Sequence, residues 1–407
     1  MNCRHCNTEL KHIFIDLGFA PPSNAYLSVN ELNSSETYYP LKLYVCEKCW
    51  LVQTIDYTKA EDLFSKDYAY FSSVSKSWLN HAHQYVNMIS ERLELNTESF
   101  VIEIAANDGY LLRNFVAKNI PCLGIEPTES TALIAKKHGI PILQEFFGES
   151  LGKQLATEDK KADLIIGNNV FAHVPNINDF TKGLKAALKQ NGTITLEFPH
   201  LMRLIENIQF DTVYHEHFSY LSLYSVNQIF QHAGLRIWHV EELPTHGGSI
   251  RVYGCHAEDS KQTTKNVQLL LEEETRKGLL NLETYYKFQQ KAEKIKNDLL
   301  SFLIEKKQQN KTVVAYGAAA KGNTLLNFAG VKSDLIPYIY DAAESKQGKF
   351  MPGSHIAILH PETILEHNPD YVLILPWNIA DEIKNEIKIL TTQNISFVTA
   401  IPNINIL

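Results

Sequence analysis

Apolar positions recur along this chain with two periods, and the switch between them marks its organisation. From about Lys76 to Leu95, Trp78, Leu79, Ala82, Tyr85, Val86, Met88, Ile89 and Leu93 fall at helical spacing. Short apolar runs then alternate with helical patterns. "FVIEIAAND", "CLGIEP", "ADLIIGNN" and "TITLEFPH" read as strands, with "YLLRNFVAK", "STALIAKKHG" and "FTKGLKAALKQ" as helices between them. Such alternation predicts an α/β fold with a mostly parallel sheet covered on both faces. A charged helical stretch, about Val267 to Gln308, leads into a second alternating series that begins with "TVVAYGAAAKGNTLLNFAG" and continues through "LIPYIYD", "DYVLILPW" and "ISFVTAIP". No solenoid repeat or low-complexity tract interrupts this order.

The 407 residues exceed what one core usually holds, and 44% hydrophobic with 21% charged residues is ordinary for a globular chain. A net charge of −8 without a Lys/Arg cluster gives no attraction to nucleic acid or anionic lipid. The N-terminus lacks a signal-peptide pattern and no apolar run reaches the ~18 residues of a membrane span, so a cytoplasmic protein is expected. Oligomeric state is not legible.

Cys3, Cys6, Cys46 and Cys49 form two CxxC pairs. In a reducing compartment this spacing means zinc, and four thiolates leave no open coordination position, so the metal is expected to be structural. Cys122 and Cys255 lie in apolar strand-like runs and read as buried small hydrophobes.

The strand end "VIEIAANDGYLL" places small residues and Gly109 at a helix start, and Glu126 closes the next strand where it can accept from ribose hydroxyls. Only one glycine of a GxGxxG fingerprint is present, and Asp108 would repel pyrophosphate, which disfavours an NAD-dependent dehydrogenase. A cationic cofactor, S-adenosylmethionine, suits the loop better. The run "YHEHFSY" from Tyr214 offers a metal site, an acid–base centre or a polar loop. As an extended segment it would turn Tyr214 and Glu216 one way and His215 and His217 the other.

Glu103 to Leu112, Glu126, "GNNVFAHVPN" and "YHEHFSY" together resemble, in order, the motifs of the sugar C-methyltransferases, which methylate carbon 3 of nucleotide-linked 4-keto-6-deoxy sugars. The resemblance spans the whole chain. It implies a zinc-binding domain over 1–70, a class I methyltransferase Rossmann-like core over 71–240 and a C-terminal Rossmann-like α/β domain over 241–407. It departs from the usual class I pattern at Ala105 and Ala106, where glycines are common. It further implies that Ala105, Asn107, Gly109, Glu126, Asn168 and Asn169 line the S-adenosylmethionine pocket, with Glu145 to Phe147 either flanking the adenine or packing in the core. His217 is the expected base, with Glu216 orienting a histidine or acting in its place, Tyr214 donating to a sugar or enolate oxygen, and His173 a second acid or base. Tyr70, with Tyr68, either reaches over the substrate or packs a domain interface.

The second small-residue turn, "YGAAAKGNTLLN", sets Lys321 and Asn323 at a helix start suited to an anion, and "HGGSIRVYG" adds His246 and Arg251. These four are expected at the phosphate end of a nucleotide sugar, with a dTDP-linked sugar as the expected substrate. The competing readings are O- or N-methylation of such a sugar and a non-catalytic zinc-containing binding protein.

Overall fold

The computed structural model describes residues 1–55, 57, 72–390 and 395–407. Tyr68 and Tyr70 lie outside the described residues.

The chain opens with three strands the periodicity did not predict, β1 (His12–Ala20), β2 (Tyr39–Val45) and β3 (Val52–Thr54), paired antiparallel in that order. The helix Lys76–Arg92 follows, its first turn capped by Ser75, whose side chain accepts from the Trp78 amide. Ala82, Tyr85, Val86 and Ile89 form its buried stripe, as their spacing predicted.

The alternating region then gives β4 (Val101–Ile104), β5 (Cys122–Ile125), β6 (Ile142–Leu143), β7 (Ala162–Asn168) and β8 (Leu188–Pro199), all parallel. After the YHEH run comes the two-residue β9 (Ser219–Tyr220), then the helix Leu223–His232, whose start is fixed by a capping box between Ser222 and Ser225. Two long strands close the central sheet, β10 (Leu235–Leu243) and β11 (Ser249–His256), and its order is β10-β11-β8-β7-β4-β5-β6. Strand β11 alone runs against the other six, so the sheet is mostly parallel, as expected, with one antiparallel strand inside it. Strand β11 also falls beyond residue 240, the expected end of the core, yet it is wholly buried between β10 and β8. The order reverses between β4 and β7, which opens a crevice at the carboxyl ends of those strands.

The stretch read as one helix breaks into Lys265–Arg276, Leu282–Tyr286 and Phe288–Gln308, because Gly278 takes φ +84 after the first. The last sheet contains β12 (Val313–Tyr316), β13 (Tyr338–Tyr340), β14 (Ala357–Leu359), β15 (Tyr371–Ile374), β16 (Ser396–Thr399) and β17 (Asn405–Ile406). Its order, β14-β13-β12-β15-β16-β17, is a doubly wound arrangement with only β17 antiparallel. A central α/β core, an N-terminal cysteine-bearing sheet and a C-terminal α/β body are thus all present.

The N-terminal sheet connects the other two bodies. Strand β3 pairs with β9, setting Val52 against Tyr220 and Gln53 against Ser219. Phe14, Ile15, Leu41 and Leu43 share one core with Phe210, Val213, Phe288, Leu299 and Ala315 of the later chain, while Cys3, Cys46, Cys49 and Leu51 pack with Leu221, Leu223 and Phe230. No helix among the described residues is long and apolar enough to cross a membrane.

Gly109 shows how tightly the crevice is built. Its φ is +80, and a Cβ there would sit 2.3 Å from Ile140 Cδ1. Gly109→Ala should lose on the order of 2–4 kcal/mol, from left-handed strain plus overpacking, read by urea or thermal unfolding.

Candidate functional site

The loop after β4 is held by its own neighbours. Ala105 and Asn107 take φ of 57 and 50, left-handed values that side chains other than glycine adopt only when fixed from outside. The fixing bonds are visible. The Asn107 amide donates to Glu126 Oε2 at 2.9 Å, the Thr128 amide to Glu126 Oε1 at 2.9 Å, and the Ser72 and Ser73 amides to the Asn107 and Asp108 side chains at 3.0 Å each. Glu126 therefore has an amide on each oxygen and keeps only its remaining lone pairs for a ligand.

Glu103, in β4, is buried and protonates well above the usual carboxyl range, first because of burial and then because Asp108 and Glu126 are close. Glu103 Oε2, Asp108 Oδ1, both side-chain polar atoms of Asn168 and Asn169 Oδ1 are buried without a hydrogen-bond partner among the described residues. The Asp108 and Glu126 carboxyl groups, the unpaired Asn168 amide and the unpaired Asn169 Oδ1 at a switch point suit a cationic ligand with amine and hydroxyl donors, as S-adenosylmethionine has. Of the phenylalanines expected near adenine, Phe147 stacks edge-on with Phe180 at 5.4 Å and Phe146 is exposed.

The YHEH run is not extended. The His217 amide donates to the Tyr214 carbonyl at 3.0 Å, closing a turn that cancels the expected alternation and brings Tyr214 and His217 together. His217 Nδ1 lies 3.0 Å from the Thr212 carbonyl, which can only accept, so Nδ1 carries the proton. In the neutral ring Nε2 then accepts from the Tyr214 hydroxyl at 2.8 Å. Burial, with His173 adding to it, holds the His217 pKa well below the ordinary value, so the neutral form dominates.

The His173 ring meets His217 edge-on at 4.6 Å, and its Nδ1 donates to the Glu216 carbonyl at 2.8 Å. Glu216 points the other way. Its Oε1 accepts from Asn24 at 3.1 Å, its Oε2 is buried with no partner among the described residues, and burial raises its pKa. His215 faces Tyr39 of β2, with ring centroids 5.9 Å apart. The two histidines of the run are therefore separated, and among the described residues only the four N-terminal cysteines are grouped to hold a metal.

Opposite this turn, Asn169 Nδ2 donates to His246 Nε2 at 3.1 Å, and His246 packs against Trp78. Lys321 donates to Asn378 Oδ1 at 2.9 Å and lies over the Trp377 ring at 4.7 Å. Burial lowers the Lys321 pKa and raises that of Asp211 to about 6, while their charges favour each other. Trp377 donates to Asp211 Oδ2 at 2.7 Å, and Thr324, one turn after Lys321, donates to the Val213 carbonyl at 2.7 Å. The helix carrying Lys321 is thereby fastened to the segment that carries the YHEH turn. Asn323 is buried, with its Oδ1 accepting from Asn327.

Arg251 is not available for a phosphate as the sequence suggested. It is buried, donates to Glu197 Oε2 at 2.5 Å and covers the Tyr85 ring at 4.3 Å, because β11 lies inside the central sheet. Burial would raise the Glu197 pKa, but His81 and Arg251 overcome that and hold it at about 2. His81, Glu197, Asp211 and Trp377 escaped the sequence reading. Asp211, three residues before Tyr214, carried the one usable cue, an acid inside an apolar run.

In the N-terminal domain the four cysteine sulfurs lie within 4.8 Å of one another, with Cys3–Cys49 and Cys6–Cys46 both at 3.5 Å. Tetrahedral zinc with Zn–S bonds of ~2.3 Å needs sulfurs about 3.8 Å apart, so the cluster fits a structural zinc. Gln53 Nε2 donates to Cys3 Sγ at 3.2 Å, a bond that suits a thiolate. Cys122 and Cys255 are buried as expected, and burial pushes both thiols up to about 11.

Comparison with known proteins matches three family models in sequence. They are a putative zinc binding domain over residues 3–64, a methyltransferase domain over 78–240 and a C-methyltransferase C-terminal domain over 244–402. The chain is 32% identical over 400 residues to the C-methyltransferase NovU of Streptomyces niveus, covering 98% of this chain and 95% of that protein. Among solved structures, an S-adenosylmethionine-dependent methyltransferase from Clostridium acetobutylicum is 9% identical, covers 44% of this chain and 92% of its own, and has a TM-score of 0.35. The YcgJ protein of Bacillus subtilis is 14% identical over 43% of this chain and 99% of its own, with a TM-score of 0.36.

Elemental analysis should find one zinc per chain, and Cys46→Ser should bind none and melt earlier. Burial holds both His173 and His246 at about 4, against an ordinary 6.5. The unfolded chain then binds more protons below pH 6.5, so stability is full above that value and is lost as pH falls toward 4. Melting temperature should drop across that window, and His173→Asn should flatten the drop.

Proposed function

The chain belongs to the C-methyltransferase family and uses S-adenosylmethionine, and we propose that it methylates carbon 3 of a nucleotide-linked 4-keto-6-deoxy sugar through a base-generated enolate. The observation that carries this reading is the neutral His217, tied to Tyr214 and touching His173, beside a crevice with unpaired buried polar groups.

A hydrogen next to a ketone is only weakly acidic, so its removal calls for a base whose lone pair is available near neutral pH. His217 has that lone pair on Nε2, with Nδ1–H anchored on the Thr212 carbonyl. When the Tyr214 hydroxyl turns from Nε2 to the substrate oxygen, the freed Nε2 lone pair takes the C3 proton while that hydroxyl donates to the oxygen developing at C4. The cofactor, when bound, supplies an electrophilic methyl on a cationic sulfur. Glu103, Asp108, Glu126, the unpaired Asn168 amide and the unpaired Asn169 Oδ1 orient it, with Ala105, Asn107 and Gly109 giving the loop its shape. His173 serves as a second acid or base. Lys321, with Asn323 and His246, receives the anionic nucleotide end, which we take to be a dTDP group. We assign zinc binding to residues 1–70 and the nucleotide-sugar subsite to residues 241–407, and we place the reaction in the cytoplasm, where the four thiols stay reduced. Tyr70 remains a proposed contact over the substrate.

Glu216 supports a second choice of base, because its Oε2 is buried and unpartnered among the described residues. Incubation in deuterated water with S-adenosylmethionine and a panel of dTDP-4-keto-6-deoxy sugars should give C3 deuteration and a mass gain of one methyl. His217→Asn should slow exchange by roughly 100-fold or more, and Glu216→Gln should retain it. Absence of both exchange and methyl gain across the panel would sink the assignment. Exchange that survives in His217→Asn but vanishes in Glu216→Gln would move the base to Glu216.

A further inference from the structure

Arg4 stands between two of the zinc-site cysteines and reaches out of their knuckle. Its amide donates to Gln53 Oε1 at 2.8 Å, which ties it to the side chain that also contacts Cys3 Sγ. Its guanidinium spans two other segments, with Nη1 donating to the Pro175 carbonyl at 2.7 Å and Nη2 to the Thr54 carbonyl at 2.8 Å. The group lies 5.4 Å from the centre of the Phe218 ring, and the Thr54 amide donates to the Phe218 carbonyl at 3.1 Å. Pro175 is two residues past His173, and Phe218 directly follows His217. The fork therefore bonds the His173 segment directly and reaches the His217 segment through the Phe218 ring and through Thr54, and the histidine rings of the two segments meet at 4.6 Å.

We propose that Arg4 is a positioning residue for proton transfer, with its guanidinium fixing the His173 and His217 segments against the cysteine knuckle. This rests on the proposed role of His217. A guanidinium suits the task because its planar fork holds two carbonyls in fixed relative positions, which an ammonium cannot do. The knuckle has a second anchor beside the Arg4 guanidinium. Asn178 Nδ2 donates to the His5 carbonyl at 2.8 Å, and His5 Nδ1 lies 2.8 Å from Asn178 Oδ1.

The test uses the full zinc-loaded chain. Arg4→Ala should keep its zinc and wild-type affinity for S-adenosylmethionine by calorimetry. Its kcat and C3–deuterium exchange should fall by roughly 10- to 100-fold with KM changed less than about twofold, because misplaced reacting groups cost rate and not binding. In histidine-¹⁵N-labelled protein the imidazole resonances of His173 and His217 should shift. Asn178→Ala, which cuts the His5 staple and the 3.4 Å bond to the Arg4 carbonyl but leaves the guanidinium bonds in place, should stay near wild type in both readouts. Wild-type exchange with unmoved imidazole resonances in Arg4→Ala overturns the proposal, and so does an equal loss in Asn178→Ala. If Arg4→Ala fails to fold, Arg4→Lys is read the same way, and wild-type rate in that variant overturns it. If the wild-type protein exchanges no C3 hydrogen with any sugar, the functional reading fails while the imidazole resonances still decide the role of Arg4.

Discussion

Strand β9 is two residues long and would not persist alone, yet it immediately follows the turn that carries Tyr214 and His217. Its pairing with β3, a strand from the opposite side of the molecule in sequence, is the contact on which the rest of the site depends. Ladder bonds fix one side of the turn, the Thr212 carbonyl fixes the His217 ring, and Thr324 fixes the Val213 carbonyl. A loop without these ties would have to be ordered by substrate at a cost in binding free energy. Here folding bears that cost beforehand.

The pairing also gives the zinc domain a function that a closed four-thiolate site cannot have through chemistry. Zinc holds the knuckles, the knuckles hold β2 and β3, and β3 holds β9. The cysteines pack in the same core as Leu221, Leu223 and Phe230 behind the turn, so metal, sheet and turn form one continuous solid. His217 and His173 are neutral because burial strips their water, and each has Nδ1 committed to a backbone carbonyl.

Much of this was legible in the sequence because it is periodic or local. The alternation from "VIEIAAND" to "TITLEFPH" predicted the core strands, the paired CxxC motifs predicted the metal cluster, and YHEH stood out by composition. What failed was non-local. Nothing in residues 12–54 signals that they form a sheet completed by Ser219 and Tyr220, since a two-residue strand has no period. Arg251 looked like an anion partner because Gly247 and Gly248 before it allow a ligand to approach closely, and only the sheet order shows that it lies next to Glu197. The alternation in YHEH failed for a related reason: a turn of four residues leaves no trace in side-chain spacing. Lys321 and Trp377, far apart in sequence, meet because the doubly wound C-terminal sheet brings both of their strand-end segments to one edge.

The borrowed strand bears on how such a chain could be assembled or rearranged. Three sequence blocks follow one another in order, which suggests modules joined end to end, but the first block owns a strand that lies within the second. A chimaera that exchanged the zinc block for a foreign one would have to reproduce the edge of β3 in register as well as the metal ligands. Inheritance of the first two blocks as a single unit is therefore favoured by hydrogen-bond register, independently of what reaction they perform.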